Sequence, residues 1–254
     1  MTKENLTYIS VILDASGSMA SLKNDTLGSF NSFINDQKLV PGEAIFTLCL
    51  FNTNSNIVYE FVDIANVKDI TAKTYNTEGG TALLDAIGST IDLVGKRLAS
   101  LPEEERGSKV LFVIITDGEE NSSHRYTAGQ IKTMIQHQKD VYSHEFVFMG
   151  ANIDAITTGT NLGISTNNTL NYIPTSAGTQ QLYNTVSESM TSYRSAGVVR
   201  GASFFQPPVA TQATVDLIDP LNNPVIQHNP VAVPILVPGV VTTIHNQSVK
   251  KTIK

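Results

Sequence analysis

The stretch Tyr8 to Met19, reading YISVILDASGSM, constrains the fold of this chain more than any other. Tyr8-Ile9-Ser10-Val11-Ile12-Leu13 has the length and apolar character of a strand buried on both faces of a sheet. The run stops at Asp14, and the residues after it are acidic, small or glycine. A helical pattern follows, with Leu22, Leu27, Phe30, Phe33 and Ile34 on one face. Strand, short polar turn, helix opens a doubly wound α/β domain, in which ligands sit at the carboxyl ends of the strands. The turn presents Asp14, Ser16 and Ser18 at alternate positions. Two readings of these oxygens stand side by side. They cap the following helix, for which Asp and Ser are the usual residues, or they converge on a hard divalent cation such as Mg2+.

Along the rest of the chain, Ala44 to Phe51 and Ile57 to Val62 read as strands joined by the short turn Asn52 to Asn56. So short a connection makes a hairpin, and the second of the two an antiparallel edge strand. Ile64 to Ile70 is a short helix or an irregular crossing. Asn76-Thr77-Glu78-Gly79-Gly80-Thr81 is a second polar turn, followed by a helix with Leu84, Ile87, Ile91, Val94 and Leu98 at helical spacing. Lys109 to Thr116, KVLFVIIT, is the most hydrophobic strand and is expected at the sheet centre, running into the third polar turn, Asp117-Gly118-Glu119-Glu120-Asn121. Thr127 is placed to cap a helix carrying Ile131, Met134 and Ile135. A strand over His144 to Gly150, a short helix over Ala155 to Leu162, a strand over Leu170 to Ile173 and a helix over Gly178 to Ser195 complete the pattern. The expected fold is therefore α/β: a doubly wound, mostly parallel six-stranded sheet with one antiparallel edge strand.

This domain occupies residues 1–200. Residues 201–254 hold seven of the ten prolines and five charged residues (Asp216, Asp219, Lys250, Lys251 and Lys254), with Val231, Val233, Ile235 and Val237 alternating around Pro234. Proline prevents a regular helix and removes ladder donors. The segment reads as an extended, partly strand-like C-terminal arm for docking on a neighbouring subunit or partner.

A net charge of −6 offers no basic stripe to neutralise phosphates, so nucleic acid is not the expected partner. The single cysteine, Cys49, lies in an apolar run and is expected to be a buried, inert thiol. No run of about 18 apolar residues offers a membrane span, and MTKENLTY lacks the apolar core of a signal peptide. A cytoplasmic protein is the expectation, with a virion as the alternative. His124, His137 and His144 lack metal-ligand spacing. Glu119 and Glu120 read as solvated residues at a helix entrance, with extra metal ligation as the other possibility.

Taken together, Asp14-Ala15-Ser16-Gly17-Ser18, Thr81 after Gly79-Gly80, and Asp117 in Thr116-Asp117-Gly118 resemble the metal-ion-dependent adhesion site of von Willebrand factor A domains. The resemblance covers roughly residues 6–196. Gly150-Ala151-Asn152-Ile153-Asp154-Ala155 with Leu162-Gly163-Ile164 also looks like small stand-alone prokaryotic and phage members. The resemblance implies a site for Mg2+ (or Mn2+ or Ca2+) at Asp14, Ser16, Ser18, Thr81 and Asp117. Ser16 and Ser18 would bind the ion directly, Thr81 directly or through water, and the two aspartates mostly through water. Few carboxylates leave the cation under-neutralised and one position open for a Glu or Asp carboxylate of a partner protein.

The function that follows is a non-catalytic, metal-dependent protein-binding module with an assembly arm. Pairing with a MoxR-type AAA+ ATPase is a family-level expectation. A structural part of a larger assembly, such as a phage virion, is the alternative. A metal-assisted phosphoester hydrolase is the remaining one, and the sequence offers it neither a general base nor a nucleophile elbow. The site turns are expected to be exposed, so that substitutions there leave the fold intact.

Overall fold

A computed structural model of the protein describes residues 2–196 and 203–205. Its six strands are β1 (Lys3–Asp14), β2 (Glu43–Phe51), β3 (Ser55–Asp63), β4 (Gly107–Thr116), β5 (Glu145–Gly150) and β6 (Thr169–Asn171). They form one sheet in the order β3-β2-β1-β4-β5-β6, in which β3 is antiparallel to β2 and every other pair is parallel. β1 and β4 are therefore the central pair, and both carry long buried runs, residues 6–14 and 109–116.

Five α-helices cover the sheet: α1 (Lys23–Leu39), α2 (Leu83–Ala99), α3 (Ala128–Tyr142), α4 (Ala155–Asn161) and α5 (Ser176–Ser195). Period two along β1 divides the core. Ile9, Val11 and Leu13 face Phe30, Phe33 and Ile34 of α1 and Leu182, Val186 and Met190 of α5. Tyr8 and Ile12 face the other way, toward Ile87, Ile91 and Val94 of α2 and Ile131 and Ile135 of α3. Thr127 caps α3 with a full capping box, its side chain accepting from the Gln130 backbone while Gln130 reaches back.

The structure departs from the sequence pattern in three places. The helix expected straight after the first turn begins with a 3-10 segment, Gly17–Leu22, whose tighter winding starts with Met19 N donating to Ser16 O. The last strand is Thr169–Asn171 rather than Leu170 to Ile173: Pro174 has no N–H to continue a ladder, Thr175 N turns back onto Ile173 O, and Ile173 is left 70% exposed. The crossing after β3 contains one 3-10 turn, Ile64–Asn66.

The end of α5 is held by two buried cations that donate to backbone carbonyls. Lys109 Nζ, from β4, donates to the carbonyls of Tyr193 and Arg194 at 2.8 Å each and to that of Ala196. The Arg194 guanidinium donates to Gln37 O at 2.5 Å and Gly42 O at 3.1 Å, past the end of α1. The Tyr193 and Arg194 carbonyls lie in the last turn of α5, where a helix end leaves them without intrahelical partners. Beyond α5, Phe204 is buried, its N–H donating to Asn168 Oδ1 at 2.9 Å and its ring 6.2 Å from that of Tyr193. Apart from residues 203–205, the expected arm lies outside the described residues. Cys49 is buried and its thiol is pushed up to about 11 by desolvation.

Candidate metal centre

The five predicted residues lie at the carboxyl ends of β1 and β4 and at the entrance to α2. Three loops bring them together, and a fourth, the β2–β3 hairpin, braces them. Ala15 N donates to Phe51 O, Glu78 N to Ala15 O, and Gly17 N to Gly79 O at 3.0 Å. Gly79 has φ +75, a left-handed conformation in which a side chain is strained. A Cβ on Gly80 would lie 2.1 Å from Ser122 Oγ, so only glycine lets the two loops close on each other.

Within this frame, Ser16 Oγ and Ser18 Oγ are 2.9 Å apart, and Ser18 Oγ donates to Asp117 Oδ1 at 2.5 Å. Asp14 Oδ1 accepts from Ser16 N at 2.7 Å and Oδ2 from Thr116 Oγ1 at 2.5 Å. Thr81 is brought to the same place. A methyl group added at Gly118 would sit 3.4 Å from Ser18 Oγ and 3.5 Å from Thr81 Oγ1, so the bare Gly118 backbone leaves a small cradle edged by both hydroxyls. Ser18 is exposed, but Asp14, Ser16, Thr81 and Asp117 are buried, which corrects the expectation of exposed turns. The loops close over one another and cover them.

Burial raises the pKa of Asp14 above the ordinary aspartate value, with the bonds from Thr116 and Ser16 opposing it. It does the same to Asp117, where Ser18 opposes and the nearby Asp14 charge adds. Neither carboxylate has a Lys, Arg or His among its hydrogen-bond partners in the described residues. Two buried acids without a compensating cation, ringed by three hydroxyls, are a donor set of hard oxygens short of positive charge. Such a set fits Mg2+, Mn2+ or Ca2+ and does not suit a soft metal. Among the described residues no three His, Cys, Asp or Glu side chains converge as a metal group, so the hydroxyls are essential to this one.

Several residues that shape the site carry no sequence signal. Glu120, expected to be solvated with metal ligation as the alternative, is half-buried and engaged by the protein. Its carboxylate accepts from Leu84 N, Ser122 N, Ser123 N and Ser123 Oγ at 2.7–2.9 Å, tying the third turn to the start of α2. Asn121 exchanges two bonds with Thr81: Thr81 N donates to its Oδ1 at 2.9 Å, and its own N–H donates to Thr81 O at 3.0 Å. Asp85 accepts from the backbone N–H groups of His124, Arg125 and Tyr126, which holds its pKa down although desolvation acts the other way. Thr53 Oγ1 accepts from Gly80 N at 2.9 Å. An acid four residues past the strand end was visible in the sequence; its partner across 36 residues was not. His144 is buried and lowered to about 4 by desolvation, and it plays no part here.

No protein-family model and no curated protein sequence matches the chain. Solved structures do. The von Willebrand factor domain of the pilus tip protein Mfa5 from Porphyromonas gingivalis superposes with a TM-score of 0.55 at 10% identity, over 76% of this chain and 97% of that one. The pilus adhesin SpaC from Lactobacillus rhamnosus GG gives 0.55 at 13% identity, over 74% and 30%. Proximal thread matrix protein 1 from the mussel byssus, in a form whose adhesion-site motif is occupied by zinc, gives 0.51 at 15% identity, over 73% and 46%. This chain thus spans about half the length of the mussel protein. At these identities the likeness defines the fold: a six-stranded α/β sheet of the von Willebrand factor A type.

Proposed function

We propose that this chain is a non-catalytic protein-binding module that works through a divalent cation held by Asp14, Ser16, Ser18, Thr81 and Asp117. One observation carries the reading: three hydroxyls and two buried, uncompensated carboxylates from three separate loops meet at the carboxyl ends of the central strands. Mg2+ is the expected ion. Neutral hydroxyls leave it electron-poor and open to a further anionic oxygen. A Glu or Asp side chain of a partner protein supplies that oxygen, and Ser18, the exposed member of the set, marks the side from which it arrives. Pilus adhesins and a zinc-bearing matrix protein among the structural relatives agree with such a role. The arm, residues 201–254, is assigned to assembly with a neighbouring subunit, independently of the metal. A MoxR-type ATPase remains a partner suggested by family resemblance alone.

The open position is testable without knowing the partner. Mn2+ bound to the protein gives an electron paramagnetic resonance signal, and acetate is a minimal carboxylate. Acetate is expected to change that signal at millimolar concentration in the wild type. A Mn2+ signal indifferent to acetate would remove carboxylate capture from the proposal.

A further inference from the structure

Beneath the Asp14 turn, on the face covered by α1 and α5, lies a group of hydroxyls that metal binding does not use. Tyr75 is fully buried, packed among the apolar residues of that face, and its phenol donates to the Asp14 backbone carbonyl at 2.7 Å. This bond uses the only proton of the phenol, whose oxygen remains an acceptor. Burial raises the Tyr75 pKa; Tyr183, Asp14 and Tyr172 push it further, and the nearby Thr26 hydroxyl pulls it back.

Among the described residues, three hydroxyls of this region are buried without a hydrogen-bond partner: Thr26 Oγ1, Thr179 Oγ1 and the Tyr183 phenol. Thr179 and Tyr183 are one turn apart on α5 and share a face. The Tyr183 ring meets Phe30 edge-on at 6.4 Å, and Phe30 is one turn from Thr26 on α1. Both helices thus carry orphan hydroxyls among the buried residues of the seam between α1 and α5. A buried hydroxyl without a partner is costly, and native proteins rarely leave one so. A water needs two to four polar partners to reside in an interior, and the Tyr75 oxygen with these three hydroxyls supplies four.

We infer that Thr26, Thr179, Tyr183 and Tyr75 enclose a buried water site, and that Tyr75 is a positioning residue holding the Asp14 turn in shape for its cation. The water donates one hydrogen to the Tyr75 oxygen and the other to Thr26 Oγ1, and it accepts from Thr179 and Tyr183. No proton changes owner. Donation into the Tyr75 oxygen polarises its O–H and strengthens the bond to the Asp14 carbonyl. The second half of the inference rests on the metal reading; the water site does not.

Tyr183→Phe, Thr179→Val and Thr26→Val each delete one hydroxyl at nearly constant volume. With a bridging water present, each deletion strands the remaining partners, and the melting temperature falls by about 2–4 °C. A dry seam predicts the opposite, because deletion then relieves an orphan. Melting temperatures unchanged or raised in all three variants would overturn the water site. Tyr75→Phe and Thr26→Val are expected to bind Mg2+ about 10-fold more weakly by calorimetry, the usual size of an outer-shell effect, and Thr26→Ser to match wild type. Wild-type affinity in Tyr75→Phe would overturn the positioning role. Should the wild type itself bind no Mg2+ or Mn2+, the metal reading and the positioning role fall together. The melting series would then judge the water site alone.

Discussion

The two helix junctions that flank the site are built on opposite principles. On the α2 side, the third turn is stitched to the helix entrance by carboxylates: Glu120 accepts four bonds and Asp85 three, all from groups that would otherwise lack partners. On the α1–α5 side, helix meets helix mainly through apolar side chains such as Phe30, Phe33, Leu182 and Val186, and among the described residues the buried hydroxyls of Thr26, Thr179 and Tyr183 find no hydrogen-bond partner. The contrast separates two tasks. The α2 junction fixes the distance between Thr81 and Asp117, which come from different loops. The α1–α5 junction supports a single turn from below through Tyr75.

The comparison sharpens first at the shared carboxylate. Asp14→Ala is expected to weaken Mg2+ binding at least about 100-fold, because a charge and the scaffold of Ser16 N are lost together. The metal-free variant stays folded, since two lost hydrogen bonds, roughly 1 kcal/mol each, are offset by relief of a buried charge. Titration calorimetry and circular dichroism separate the two effects. Glu120→Ala breaks the α2 junction itself. It strands four donors, so a loss of about 2–3 kcal/mol in urea unfolding is expected, with Mg2+ affinity down about 10-fold. An unchanged midpoint would mean that the carboxylate stitching does not hold the loop.

A pH series probes both aspartates at once. Their folded-state pKa values are raised above the ordinary 3.8, so the folded protein binds more protons than the unfolded chain between that value and the raised ones. Metal-free stability is then fully present below about pH 3.8 and is lost as pH rises through the raised values. Mg2+ reverses this, and the gain in melting temperature on adding it should grow with pH over the same window. A gain independent of pH would place the ion elsewhere. The smallest effect on the fold is expected from Gly118→Ala. Its methyl meets Ser18 Oγ and Thr81 Oγ1 at ordinary contact distance, so melting should shift by no more than about 2 °C, while Mg2+ affinity falls because the cradle is filled.

The same division explains what could be read from the sequence. The central place of β4, the antiparallel edge strand and the polar turns at the strand ends were legible, because burial on both faces and polar runs after apolar ones leave a local signature. The burial of the site was not. Asp14 looks like a turn residue in sequence, yet Tyr75, 61 positions further on, bonds its backbone carbonyl, and Gly79 of the same loop accepts from Gly17 N. Glu120 was misread for a related reason: its partner, Leu84 N, is a backbone group, and backbone groups carry no sequence signal. Lys109 read as the polar start of a strand and proved to be the buried cap of α5.

The central claim is that the hydroxyl-rich cluster binds a divalent cation, and Mg2+ titration calorimetry on the wild type and on Ser16→Ala tests it most directly. The account predicts one site per chain in the wild type, removed by EDTA treatment and restored by fresh metal, and at least about 10-fold weaker in a Ser16→Ala protein of unchanged circular dichroism. Equal binding by the two proteins, or none by the wild type, would contradict it.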